Sequence, residues 1–338
     1  MLKDKMEERS GEKFRGDLPG LSARGNGIAE AWENSVVELY NNGGWYSREG
    51  PKDKGQMHVD ATMTITIDNP DSPRFLHKYV RFNFPDLLEY EMELLGAKNS
   101  LTFDPKLDPE GDTRWPYQYS HRILKYPGID GGTIDQLEGM IDGLSERPYA
   151  RRNNIITWVP EKDIGADDPP CLQGIWAYIA PVGDGTFKLN MNYTFRSRNV
   201  MQASPMNMKG MHVLQSHIRD RVIENTGMPL QNGRMMDHSF SYHVSAQDRP
   251  ILEGFMRRLG KAFREETDLD ETTIDGRSYP EEFINQKYEE ARPEVERKVI
   301  QTVRNRFEER YGLNDEIARI KQISTSRKRE VKDDSKKD

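Results

Sequence analysis

The stretch PPCLQGIWAYIAPVGDGTFKLNMNYTFRSRN at residues 169–199 decides the fold class. Its apolar runs Gly174–Ala180 and Lys188–Phe195 are divided by the turn-rich segment VGDGT, a pattern that predicts two sheet strands. A similar run, Asn154–Val159, precedes them. Cys171 follows two prolines, which fix how the chain enters the first strand. The thiol is therefore expected at a defined point where a loop meets the sheet.

Patterns with helical spacing surround these strands, and ATMTITI at 61–67 predicts a further strand. Helices interleaved with strands predict an α/β (α+β) class, with a mixed β-sheet flanked by helices. The predicted helices are Ile28–Tyr40, Pro85–Leu95, Thr133–Leu144 with Thr133 as its N-cap, Pro205–Asn225, Arg249–Glu265 and Pro280–Arg310.

Composition predicts three segments along the chain. Residues 1–25 are charged and glycine-rich without periodicity, which predicts a flexible N-terminal lead. Residues 26–312 hold all the periodic patterns and are predicted to form one folded domain, including the C-terminal helices. Residues 313–338 are predicted to be a charged, disordered tail.

Charge and motif content exclude several classes of protein. Lys and Arg number 49 against 56 Asp and Glu, a net charge of −7 that argues against a broad nucleic-acid surface. One cysteine, no long apolar run and a charged start predict a cytoplasmic protein, in host cytoplasm if a virus encodes it, without a membrane partner. No phosphate-loop, dinucleotide or nucleophile-elbow motif occurs. His212 and His217 are five residues apart, so no metal site is predicted.

Two features each have a structural and a functional interpretation. Cys171 is either a small buried hydrophobe or a nucleophile. Three arginines lie at predicted turns and strand ends: Arg151, Arg152 and Arg196. Either they are solvated surface charges, or they form a cluster whose guanidinium groups bind one phosphate. From these residues alone both interpretations stay open.

Five separated motifs agree with one family: RPYARR at 147–152, PPC at 169–171, FRSRN at 195–199, SPMNM at 204–208 and DHSFSYH at 237–243. Their order and spacing resemble the thymidylate synthase family, which includes the pyrimidine-nucleotide hydroxymethylases. The resemblance implies a thymidylate synthase-like fold that dimerises through its sheet. It also implies one-carbon transfer from 5,10-methylenetetrahydrofolate to C5 of a pyrimidine nucleotide.

The resemblance assigns a role to each matching residue. Cys171 matches the nucleophile, Glu89 the proton-handling glutamate, and Arg196 the arginine that serves both thiolate and phosphate. Asn207 matches the amide that reads the base edge, which favours dUMP over dCMP. The remaining matches are Arg48 and Ser197 for the phosphate, Arg151 and Arg152 for the phosphate of the partner in a homodimer, and His238 and Phe240 for the sugar.

Departures from the family lie mostly on the folate or proton-handling side. Leu172 replaces a histidine, Asn199 an aspartate that contacts the pterin, and Phe103 a tryptophan, while Phe240 replaces a tyrosine. Tyr117 matches an active-site tyrosine, with Tyr119 as the alternative. The charged tail lacks the apolar segment that shields the reduction step.

These departures favour 5-hydroxymethylation of dUMP. The alternatives are reductive methylation to dTMP, dCMP or CMP hydroxymethylation, a ribonucleotide substrate, and a nucleotide-binding module without turnover. Retention of Cys171, Glu89 and Asn207 argues against the last, because a binder needs the arginines but not the thiol.

Overall fold

The fold is described from a computed structural model, which covers residues 17–47, 57–97, 117–262, 273–307 and 313–334. The chain divides into two compact units. The first comprises Met1–Arg81, Leu144–Asn154 and Cys171–Glu281, and the second Phe82–Gly143, Ile155–Pro170 and Glu282–Asp338.

Ten strands and ten α-helices are described in these ranges. The strands are β1 Gly20–Gly25, β2 Gly44–Ser47, β3 Met57–Ile67, β4 Tyr126–Pro127, β5 Thr133–Ile134, β6 Asn154–Ile156, β7 Leu172–Pro181, β8 Phe187–Phe195, β9 Arg198–Asn199 and β10 Leu230–Val244. The helices are α1 Ile28–Asn42, α2 Phe84–Leu94, α3 Tyr119–Leu124, α4 Gln136–Glu146, α5 Pro160–Asp163, α6 Ser204–Thr226, α7 Arg249–Ala262, α8 Ile274–Arg277, α9 Glu281–Phe307 and α10 Leu313–Asp334.

The first unit is built on a mixed sheet, which confirms the predicted fold class. Its strands follow the order β1-β3-β10-β8-β7, with β2 paired to β3 and β9 to β10. β10 runs parallel to β8 and antiparallel to β3, and β7 runs antiparallel to β8. The carboxyl ends of β8 and β10 therefore meet the start of β7 at one edge of the sheet.

Alternation along β8 separates a buried face from a half-buried one. Leu189, Met191, Tyr193 and Phe195 are fully or almost fully buried, whereas the residues between them are partly exposed. Helix α6 packs on the sheet, where the Gln215 side-chain amide donates to the carbonyl of Leu189 at 2.7 Å. The half-buried face carries Trp176, Tyr178, Asn190, Asn192, Thr194, Met236, His238, Thr62, Thr64 and Thr66.

The second unit is mainly helical. Arg122 on α3 forms a buried ion pair with Asp163 on α5, at 2.7 Å between Nη2 and Oδ1. The Tyr288 hydroxyl on α9 donates to Glu91 Oε1 on α2 at 2.9 Å. These contacts join helices that are distant in sequence. No helix in the described part of the chain is long and apolar enough to cross a membrane.

Three expectations about local structure are wrong. Residues 20–25 are not part of a flexible lead, because β1 pairs in parallel with β3 from Gly20–Thr62 to Gly25–Ile67. Residues 313–334 are helical rather than disordered, and Ile320 of this helix is fully buried. The helix predicted from Thr133 begins at Gln136, where the carboxylate of Asp135 accepts the N–H groups of two following residues.

Candidate active site

Cys171 and Arg196 lie side by side across an antiparallel strand pair. The register places Leu172 opposite Phe195, and the Arg196 N–H donates to the Cys171 carbonyl at 2.8 Å. Opposed residues in such a ladder have Cβ atoms about 5 Å apart. Both side chains are partly exposed, and opposed residues of such a pair project to the same side of the ladder. A neighbouring cation of this kind favours the thiolate over the thiol.

The carbonyl of Arg196 is bonded to the next strand. It accepts the N–H of Ser241 at 3.2 Å. Ser197 follows at the strand end and is partly exposed. The backbone at Arg196 is therefore attached on one side to the Cys171 segment and on the other to β10.

His238 and Phe240, the predicted sugar contacts, lie on β10 beside this point. His238 is opposite Thr194 of β8, and its Nδ1 lies 2.9 Å from the hydroxyl of Thr64. The Phe240 side chain is 54% exposed and packs edge-on to the His238 ring, with centroids 5.1 Å apart. Phe240 lies in an irregular stretch of β10 between Ser239 and Tyr242. The structure thus brings both residues to the edge that carries Arg196.

Asn207, the predicted base reader, is in the first turn of α6. This helix begins five residues after Asn199, and Asn207 is buried. Its N–H donates to the carbonyl of Ala203 at 2.8 Å. Only a short connection separates β9 from α6, so Asn207 follows Arg196, at the end of β8, by eleven residues.

Asn199 is engaged within the protein. Its Oδ1 accepts the N–H groups of Met201 and Gln202, both at 3.0 Å, and its Nδ2 donates to Asp248 Oδ2 at 2.6 Å. Two accepted bonds use both lone-pair positions of an amide oxygen. Asn199 can therefore accept no further hydrogen bond without losing one from the backbone.

Arg151 and Arg152 are exposed and precede β6. The indole N–H of Trp176, on the half-buried face of β7, donates to the Arg151 carbonyl at 3.0 Å. Trp176 in turn stacks on Tyr178, with centroids 5.7 Å apart. The arginine pair is thus attached to the half-buried face of the sheet.

Two predicted residues belong to the second unit. Glu89 on α2 is paired with Lys298 at 2.6 Å, and this hydrogen bond raises the pKa of Lys298. Tyr117 packs against Tyr119, with ring centroids 5.7 Å apart, so the choice between them stays open. Arg48 and Phe103 lie outside the described residues.

Two buried clusters near the strand ends escaped the sequence analysis. Arg198 pairs with Asp237 in the core, although burial raises the pKa of that carboxyl. Asp60 accepts a hydrogen bond from Ser241 Oγ at 2.8 Å, and burial raises its pKa as well. Strand alternation does not reveal such pairs, because their partners are distant in sequence. Among the described residues, no three His, Cys, Asp or Glu side chains are grouped to hold a metal.

Residues 89–246, which include the residues just described from Cys171 to His243, match the family model described as Thymidylate synthase. In these residues, which make up just under half of the chain, the protein is similar to the thymidylate synthase family. Members of this family are C5 methyltransferases.

Similar proteins with this family name span most of the chain. A protein of Methanosarcina acetivorans named "Putative thymidylate synthase" is 25% identical over 240 residues, covering 71% of this chain and 96% of its own. A protein of the same name from Methanopyrus kandleri is 27% identical over 237 residues, covering 69% and 96%. The solved thermostable thymidylate synthase A from Bacillus subtilis aligns over 68% of this chain and 84% of its own, with 19% identity and a TM-score of 0.49.

Proposed function

We propose that this chain transfers a one-carbon unit to C5 of dUMP, with 5-hydroxymethyl-dUMP as the product. The observation that carries the transfer is the register that sets Cys171 beside Arg196. A thiolate next to a guanidinium, at the edge of a sheet with a histidine on the neighbouring strand, suits covalent catalysis on a phosphorylated substrate.

In the proposed reaction the Cys171 sulfur forms a bond to C6 of the uracil ring. The C5–C6 double bond then opens toward O4, and the enolate makes C5 nucleophilic. After C5 has gained the one-carbon unit it loses its proton, and the carrier amine leaves with the electron pair of the C–N bond, which gives an exocyclic methylene on the ring. The oxygen of a water molecule adds to this methylene and gives up a proton, and the enolate so formed restores the C5–C6 double bond as the C6–S bond breaks to return the thiolate. Arg196 stabilises the thiolate and binds the phosphate with Ser197. Asn207 pairs with O4 and N3–H of the base, and His238 contacts the sugar.

Methylenetetrahydrofolate supplies the one-carbon unit when it is bound. Asn199, the predicted pterin contact of the first unit, does not fit an acceptor role, because its oxygen already accepts two backbone bonds. An aspartate at that position would have more acceptor capacity. This difference on the folate side supports a product other than the methyl group. We assign Asn199 to the turn before α6 instead.

Reductive methylation to dTMP is the second candidate, and the names of the relatives favour it. One experiment separates the two. Purified protein is incubated with dUMP and methylenetetrahydrofolate, and the nucleotide is analysed by mass spectrometry. A gain of CH2O supports hydroxymethylation, whereas a gain of CH2 together with dihydrofolate overturns it in favour of methylation. Reaction of dCMP or UMP but not dUMP contradicts the substrate assignment.

The role of Cys171 is tested in the same assay. Cys171→Ala is expected to abolish turnover, because it removes the single thiol of the chain, which is the nucleophile of the proposed reaction. Nucleotide binding is expected to persist, since the arginines remain. Turnover by the variant would contradict the covalent mechanism.

The assembly proposed for this function is a homodimer formed through the half-buried sheet face. That face carries Trp176 and Tyr178, and the backbone of Arg151 is bonded to it. Trp176 and Tyr178 lie on this face among threonine and asparagine side chains, and aromatic residues surrounded by polar ones are typical of subunit interfaces. In such a dimer, Arg151 and Arg152 would bind the phosphate in the partner's site.

A further inference from the structure

Arg198 on β9 and Asp237 on β10 form a buried pair directly behind the candidate active site. Arg198 is 2% exposed and Asp237 is 0% exposed, with 2.5 Å between Nη2 and Oδ2. Within the described residues, Nε and Nη1 of Arg198, Oδ1 of Asp237 and Oγ of the neighbouring Ser239 have no hydrogen-bond partner. The buried Tyr193 hydroxyl also interacts with the Asp237 carboxylate, but two nitrogens of the Arg198 guanidinium lack a partner among the described residues.

A buried ion pair of this kind contributes little net free energy to the stability of a core. Removing both charges from water costs free energy that one ionic contact seldom returns, and each unpartnered buried polar atom adds to the cost. The rings of Phe195 and Tyr242 lie 4.7 and 5.3 Å from the guanidinium carbon and compensate only in part. Apolar side chains of similar size are expected to be at least as stabilising here.

The position of the pair suggests what it does instead. Arg198 is two residues after Arg196, and Asp237 immediately precedes His238. The strand register is regular from Met191–Met235 to Phe195–Ser239 and resumes at Arg198–Tyr242. Between these points Phe240 and Ser241 pass Arg196 and Ser197 in an irregular stretch, joined by the 3.2 Å bond from Ser241 to Arg196. The ion pair therefore connects the two strand ends at the point where the ladder between them is interrupted.

We propose that the Arg198–Asp237 pair is a positioning device, which fixes the distance between the phosphate-binding Arg196 segment and the sugar-binding His238 segment. Because the phosphate and the sugar of one nucleotide are a fixed distance apart, both segments must be held together to bind it. Neither Arg198 nor Asp237 contacts the nucleotide, since both are buried in the core. This inference rests on the proposed function, from which it takes the roles of Arg196 and His238.

The test replaces the pair by apolar residues of similar size. The double variant Arg198→Met/Asp237→Leu is expected to unfold at the wild-type temperature or above. Its KM and dissociation constant for dUMP are expected to rise about tenfold or more, with a smaller change in kcat, because misplacement of binding groups is costly. The control, Arg24→Met/Asp68→Leu, removes an exposed ion pair elsewhere in the sheet and should leave dUMP binding unchanged. Wild-type dUMP affinity in the Arg198/Asp237 double variant would overturn the proposal.

A conservative variant covers the case in which the double variant does not fold. Arg198→Lys keeps the charge but loses the planar fork, so KM for dUMP is expected to rise several-fold while the unfolding temperature changes little. An unchanged KM in this variant would overturn the proposal.

Hydrogen exchange separates failure of this inference from failure of the proposed function. If the wild-type chain binds no dUMP, the proposed function fails, but strand positioning is still measurable. Amides of residues 196–199 and 238–243 are expected to exchange faster in whichever variant folds, and in no other part of the sheet. Exchange as slow as in the wild type would overturn the positioning role.

Discussion

Two backbone hydrogen bonds fix the position of Arg196. Its N–H is bonded to Cys171 and its carbonyl to Ser241, so it is fixed between β7 and β10. The strand register places Cys171 and Arg196 next to each other. The motifs PPC and FRSRN predict both residues, but only the antiparallel pairing of β7 with β8 explains why they meet.

At the residue scale, Asn207→Asp is expected to shift base preference from dUMP toward dCMP. An amide donates to O4 and accepts from N3–H of uracil, whereas a carboxyl group complements the exocyclic amine and N3 of cytosine. The ratio of kcat/KM for the two nucleotides is expected to change by at least about tenfold. Parallel assays on both substrates measure it.

The matched control is Asn225→Asp, near the other end of the same helix, where the side chain is exposed and bonded to Ser145. This variant should keep the wild-type preference. An unchanged ratio in Asn207→Asp would show that this residue does not read the base.

At the scale of elements, α6 connects the site to the rest of the first unit. On this helix His212 Nε2 lies 2.7 Å from Asp71 Oδ1, and the amide of Asn232 on β10 donates to the same oxygen at 2.7 Å. Burial alone would raise the pKa of Asp71, but these hydrogen bonds and the charges of His212 and Arg219 lower it to about 2. The loop, the helix and the strand are thus joined through one carboxylate.

Asp71→Asn is expected to destabilise the fold in a pH-dependent manner. Because the folded pKa lies below the ordinary value of about 4, the ionised carboxylate stabilises the fold above that value. This contribution is lost as pH falls toward about 2. The side chain is 43% exposed, so screening by water limits the loss near neutral pH to about 1 kcal/mol.

Thermal unfolding of both proteins at pH 7 and pH 3 measures this effect. The wild-type protein should unfold at a higher temperature than Asp71→Asn at pH 7, and this difference in unfolding temperature should be smaller at pH 3. Asp68→Asn is the control, because Arg24, the ion-pair partner of Asp68, is largely exposed. This variant should lose less stability at pH 7 than Asp71→Asn does. A difference in unfolding temperature that is the same at both pH values would contradict the role assigned to the Asp71 charge.

At the scale of the whole molecule, the proposed dimer makes each active site depend on two subunits. Cys171→Ala and Arg151→Ala/Arg152→Ala are each expected to be strongly impaired. In a mixed dimer, one site regains a cysteine from one subunit and two arginines from the other. Refolding an equal mixture should therefore restore about a quarter of wild-type activity.

Activity is measured before and after mixing, and each variant mixed with itself is the control. Absence of recovery, with mixed dimers demonstrated by mass, would show that the arginines act within their own subunit. A monomeric wild-type protein in sedimentation experiments would contradict the interface itself.

Strands and helices with a clear hydrophobic period were predictable from the amino-acid sequence. The strands near Gly174–Ala180 and Lys188–Phe195 and the helix near Pro205–Asn225 are found close to the predicted positions. Local periodicity records which face of an element is buried, so it is readable without the fold. The candidate nucleophile and its arginine are likewise recognisable from short motifs.

Contacts between elements that are distant in sequence were not predictable from local patterns. The parallel pairing of β10 with β8, the strand at Gly20–Gly25 and the helix at Leu313–Asp334 depend on partners far away in sequence. The same holds for Arg198 and Asp237, which are 39 residues apart. Burial against a distant segment can outweigh a weak or highly charged local pattern, because packing contributes more free energy than local propensity does.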